Sequence, residues 1–324
     1  MSALVPTLRS LVDHADALYE AGRLAAARSA YEDLLERAQE KGDRGSEVIA
    51  RSMLARCHLR RKDLDAARDA MHHARRGMPY ADRPDVARRY QAANARLLVA
   101  ECEAPRQDRD DPYGEPSYDH DPVGAATRAA EGLRAYLDWA RDAGAWEEAI
   151  DACCLLASTS RTNEDKASWL HMAADLAAQH ELDALGGKVF HDLAVVLELL
   201  ERHEDALDAW ENAARRHAMT GTVRQQVSAA WAAGSIAIRL EDYALAQTRL
   251  EAAARAAEPT DDCGDLLALA LADLAIVHEL TGDVVEARRS LIRALVLARE
   301  NDLVTNWPNR WRTMGEQARR LDVE

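Results

Sequence analysis

The feature that most constrains this chain is a small residue that returns about every forty positions. Five short breaks stand at EAGR (20–23), RRKD (60–63), LERH (200–203), RLED (239–242) and LTGD (280–283). Just after them come Ala27, Ala67, Ala206, Ala246 and Ala287, with neighbouring anchors 40, 40 and 41 residues apart inside the two blocks. Twelve residues before each anchor stand Ala15, Ala55, Ala194, Gly234 and Ala275. Seven residues after come Leu34, Ala74, Ala213, Ala253 and Ala294. Fourteen of these fifteen positions are Ala or Gly in a chain with 65 Ala among 324 residues, so chance does not produce the register. An internal repeat does.

The spacing has a physical reason. Two helices joined by a tight turn cross closely only where the residues at the crossing are small, and bulky residues must fill the space beside the contact. The positions four before and four after should therefore be large. They are Leu11, Arg51, Phe190, Ala230 and Leu271 in the first helix, and Tyr31, Met71, Trp210, Leu250 and Leu291 in the second. Arg51 and Ala230 depart from the pattern. Apolar residues recur at three and four, as in Leu193, Ala194, Leu197 and Leu200, which is helical periodicity. No segment sustains strand-like alternation, and residues 123–258 contain no proline to break a helix.

These units resemble the tetratricopeptide repeat, in which small and large residues punctuate two antiparallel helices and a proline often closes the second, as Pro79 does here. The resemblance covers 8–41, 48–80, 187–220, 227–259 and 268–301, with repeats of the long-helix bacterial variety. It implies an all-α fold: a right-handed superhelical solenoid of helix hairpins with a C-terminal capping helix. The chain then divides into N-terminal repeats (1–103), an acidic Pro/Asp-rich loop (104–122), irregular hairpins (123–182), C-terminal repeats (183–301) and a capping helix (302–324). Segments near 84–103, 123–143, 145–160 and 164–181 supply two further hairpins.

Composition narrows the function. A net charge of −15 argues against nucleic acid or an anionic membrane as the main partner. Five cysteines (57, 102, 153, 154 and 263), with no CxxC, do not make a disulfide framework, and no apolar run approaches a signal peptide or membrane span. The expectation is a cytoplasmic protein. Cys153 and Cys154, in the apolar run IDACCLLA, read as buried thiols. His58 and His278 share one repeat position and read as packing residues, while the adjacent His72 and His73 point in different directions and cannot chelate together.

Neither nucleophile, phosphate-binding nor metal-ligand motifs appear, so no enzyme, no metal and no cofactor are expected. The carboxylates of 104–122 do not match a calcium loop.

In the family the first helices line a concave groove. The positions facing it in the C-terminal block are His191, Val195, Glu198, Trp231, Ser235, Arg239, Asp273, Ile276 and Glu279, and in the N-terminal block Asp16, Tyr19, Glu20, Arg56 and Arg60. Such a groove takes an extended peptide or a helix of a partner protein. Trp231 fits two roles equally, a binding anchor or a residue packed between repeats. The leading expectation is a non-catalytic interaction scaffold. The alternative is a sensor that binds a signalling peptide or small ligand and acts on a separate effector.

Overall fold

The computed structural model describes residues 7–80, 83–103 and 122–323. Of the expected acidic loop, 104–121 lie outside the described residues, and Pro122 opens a helix. Among the described residues the fold is all-α, with no strand.

Two compact units divide at Thr159. The first holds α1 (Leu8–Glu20), α2 (Leu24–Lys41), α3 (Arg44–Arg60), α4 (Leu64–Gly77), α5 (Pro84–Glu103), α6 (Pro122–Asp142) and α7 (Trp146–Thr159). Here α1 pairs with α2 and α3 with α4, while α5 packs on α3, α4, α6 and α7. The second holds α8 (Asn163–Gln179), α9 (Asp183–Leu199), α10 (His203–Thr220), α11 (Val223–Arg239), α12 (Tyr243–Ala257), α13 (Gly264–Thr281), α14 (Val284–Glu300), α15 (Leu303–Asn306) and α16 (Pro308–Arg320). In it α9/α10, α11/α12 and α13/α14 are hairpins, and α16 closes the row against α13 and α14.

The crossings are where the spacing placed them. Ala27, Ala67, Ala206, Ala246 and Ala287 are wholly buried, as are Ala15, Ala55, Ala194 and Ala275 twelve residues earlier. Beside them Tyr31, Met71, Trp210, Leu250 and Leu291 are buried. Arg51 is tolerated because it is half-buried and pairs with Glu47 one turn back, at 3.1 Å.

At the crossing of α11 and α12 even a methyl group is too large. A Cβ on Gly234 would lie 2.6 Å from Leu250 Cγ and 3.3 Å from the Leu250 backbone nitrogen. Helix propensity favours alanine over glycine by about 1 kcal/mol, but overpacking costs about 1–3 kcal/mol. Gly234→Ala should therefore lower stability by about 1 kcal/mol in urea unfolding. A stabilised variant would contradict this close approach.

The turns share one conformation. Gly22, Lys62, Glu201, Glu241 and Gly282 stand at one repeat position, and all have left-handed backbone, with φ of 72°, 61°, 57°, 60° and 88°. The following amide donates back five residues, as from Asp63 to His58, Arg202 to Leu197, Asp242 to Ala237 and Asp283 to His278. This double-bonded helix end, the Schellman motif, satisfies carbonyls that the helix leaves free. The next helix starts at once, with Asp63, Asp242 and Asp283 accepting its third amide hydrogen. Left-handed backbone costs an L-residue roughly 1–2 kcal/mol, while glycine adds about 0.4–1 kcal/mol of unfolded-state entropy. Glu241→Gly should thus stabilise by roughly 0.5–1 kcal/mol, read as a higher melting temperature.

Candidate binding surface

The first helices of the second unit carry the nine residues that the register points at the groove. Their side chains form two clusters and an exposed rim. In the first cluster Glu198 on α9 accepts from Trp210 Nε1 at 2.7 Å and from Arg239 on α11 at 3.3 Å. His191 stands edge-on to Trp210, with centroids 4.6 Å apart. Val195 and Arg239 remain exposed beside this cluster, and so does Leu199, one turn beyond Val195.

The second cluster gathers on Asp273, which is only 2% exposed. Its Oδ2 accepts from Trp231 Nε1 at 2.9 Å and from Ser235 Oγ at 2.5 Å, and its Oδ1 from Arg310 on α16 at 2.5 Å. Trp231 is half-buried, with Trp307 edge-on at 5.9 Å and the Arg310 guanidinium 5.5 Å from its ring. Trp231 thus packs between repeats while part of its surface stays accessible. Glu279 accepts from Gln317 at 3.2 Å and Arg320 at 3.0 Å, which hold its carboxyl below the ordinary range. Ile276 is half-buried.

The repeat pattern marks the end of the chain only as a capping helix and does not disclose the part played by α16. A signal was present: Arg320 follows Glu279 by 41 residues, as Arg239 follows Glu198. The cap repeats the lateral ion pair of the row it ends.

A histidine pair, His217 buried and His191 half-buried, extends from the first cluster. His191 and His217 stand 6.4 Å apart by centroid, and burial lowers both pKa values below the ordinary histidine range. A charged form is disfavoured there, so the unfolded chain takes up protons first as pH falls below about 6.5. Stability is therefore fully present above that pH and is lost on descent through the folded values. Arginine-paired carboxylates such as Asp265 and Glu279, whose pKa values are lowered, add their loss only in stronger acid. Asp192 opposes the trend, because burial raises its pKa. Melting temperature should fall between about pH 7 and pH 5.5, and His217→Gln should flatten that slope. An unchanged slope would remove the histidine from the explanation.

Cys57, Cys153 and Cys263 are buried, and Cys154 is half-buried. Burial pushes the Cys153 thiol up to about 11. His58 and His278 are half-buried, as packing residues should be. Among the described residues no three His, Cys, Asp or Glu side chains converge on a metal position. No helix among them is long and apolar enough to cross a membrane.

Comparison with known proteins agrees with this geometry. The tetratricopeptide-repeat family matches residues 6–79 in one form and 231–302 in another. The chain is a tetratricopeptide-repeat protein. Among solved structures it is similar to a signal-transduction ATPase with numerous domains, carrying a tetratricopeptide repeat sensor, from Pyrococcus horikoshii. That match has a TM-score of 0.70 at 16% identity and covers 95% of this chain and 44% of the other. This tetratricopeptide-repeat chain therefore spans less than half the length of that protein. It is also similar to the apo form of RapI, with a TM-score of 0.57 at 11% identity, over 85% of this chain and 73% of that one. No curated protein sequence matches. Identities this low speak for the fold, which is generally a non-catalytic protein-interaction scaffold.

Proposed function

We propose that the second unit binds a peptide segment of a partner protein along the first-helix face of α9 and α11. The observation that carries this reading is an ordered, solvent-exposed edge. Val195 and Leu199, 42% and 63% exposed, flank Glu198 and Arg239, whose charges are fixed by Trp210 and by each other. An apolar patch beside oriented charges suits a segment with one apolar anchor and one charged group. The other end of the row, at Asp273 and Glu279, is tied to α16 and serves as its rigid support.

Peptides selected from a display library on the whole chain provide the test. Val195→Asp combined with Arg239→Glu should weaken the selected peptides at least tenfold, about 1.4 kcal/mol, with the melting curve unchanged. Both positions are exposed, so folding does not confound the result. If the double variant binds those peptides as the parent does, the surface is elsewhere. Capture of a whole partner protein by the parent chain, lost in the variant, separates a scaffold from a receptor for free peptides.

A further inference from the structure

The first unit treats most of its half-buried arginines alike. Arg89 on α5 makes a two-pronged pair with Asp16 on α1, at 2.8 and 2.6 Å. Arg96 on α5 reaches Asp151 on α7 at 2.8 Å. Arg51 pairs with Glu47. Each of these three guanidiniums has its carboxylate.

Arg56 and Arg60 do not. They lie one turn apart on α3, and both guanidiniums stand 5.0 Å from the centroid of the buried Tyr19 ring on α1. No carboxylate lies within ion-pair distance of either among the described residues. Like charges at this helical spacing repel, and a ring face offsets only part of that cost. Arg56 is half-buried, and its Nε is shut away from solvent with no hydrogen-bond partner. Arg56 Nη1 donates only to Met53 Sδ, at 3.8 Å, so in a chain with 15 excess negative charges two adjacent cations stand without a carboxylate.

Two further polar groups nearby are also unspent. Ser52, one turn before Arg56 on α3, is wholly buried, and its hydroxyl has no partner. Tyr136 on α6 is 1% exposed with an unpartnered hydroxyl, and the charges acting on that phenol are Asp151, Arg96, Glu148 and Arg56. Buried polar atoms in folded proteins are almost always satisfied, so donors left over near a guanidinium that has no carboxylate point to a ligand.

We propose that Arg56 and Arg60 form an anion site, framed by Tyr19, that takes a carboxylate of an acidic peptide segment. A guanidinium fork matches a carboxylate in two parallel hydrogen bonds. The array already uses that chemistry, since its own cross-helix partners at Arg89 and Arg96 are aspartates. An Asp or Glu of the ligand would take the place that a lateral carboxylate holds elsewhere in the row. The inference extends the peptide-binding reading to the first unit but uses none of the residues tested for the second.

Titration calorimetry of the whole chain with hexaglutamate and, separately, hexaglutamine and inorganic phosphate provides the test. The expected result is binding of hexaglutamate alone, weakening as salt rises. Arg56→Gln with Arg60→Gln should reduce it at least tenfold, and the exposed Arg60→Gln alone should reduce it measurably if the double variant folds poorly. Val195→Asp with Arg239→Glu should leave it intact, so a failure of the second-unit surface reads out separately. Equal binding by the arginine variants overturns the assignment. So does a parent chain that ignores hexaglutamate, or one that takes up only phosphate.

Discussion

Replacing Arg310 with alanine should cost roughly 2–4 kcal/mol of stability, among the largest effects of any single polar substitution in the second unit. Asp273 is 2% exposed and keeps only its two neutral donors, Trp231 and Ser235, once the guanidinium is gone. A carboxylate buried without its counter-charge is far more costly than one never buried. The variant also loses the cation over the Trp231 ring. Urea unfolding followed by tryptophan fluorescence is well placed to see it, since Trp307 and Trp311 flank the substituted residue. The double change Asp273→Leu with Arg310→Met removes both charges together and should recover much of the loss. A cost below about 0.5 kcal/mol for Arg310→Ala would mean that α16 is a loose appendage and the Asp273 cluster holds nothing.

How much of this was legible in the sequence depends on which physical rule set each residue. The crossing alanines were legible because steric exclusion acts on every repeat alike and leaves a mark at fixed spacing. The turns were half legible. Gly22 and Gly282 advertise left-handed backbone, but Lys62, Glu201 and Glu241 adopt it without any such sign. There the turn's hydrogen bonds and the fixed spacing of its helices overrule local preference. First helices begin earlier than the repeat pattern suggests, at Arg44, Asp183, Val223 and Gly264. Glycines at 45, 186, 187 and 264 look like turn residues. They sit inside helices, where at Gly187 an added Cβ would come 2.9 Å from His217.

The binding surface was less legible, because a residue's angle on a helix does not say who answers it. Register placed Trp231, Ser235 and Asp273 on one face, and it could not show that they meet on one carboxylate. That depends on α16, whose match to the row is carried by single residues, Arg310, Gln317 and Arg320, rather than by a repeat. Arg56 and Arg60 illustrate the converse. Their position was legible, and their lack of carboxylate partners was not.

Ala246→Leu should overpack the α11/α12 crossing and cost about 1–3 kcal/mol. The alanine is wholly buried in a cluster with Leu250, Ala253 and Ala237, and facing helices leave no room for a longer side chain. Relief would require α11 and α12 to separate, and α13, which packs on both, would have to follow. The nearby Ala244→Leu supplies the contrast. Ala244 is exposed on the same helix and gains no buried neighbour, so its replacement should stay within about 0.5 kcal/mol of the parent. The same substitution at Ala27 in the first unit should repeat the larger loss, since that position is equally enclosed. Measured side by side in urea, equal effects at 244 and 246 would show that helix propensity, and not close crossing, governs these alanines. The forty-residue register would then have lost its physical cause.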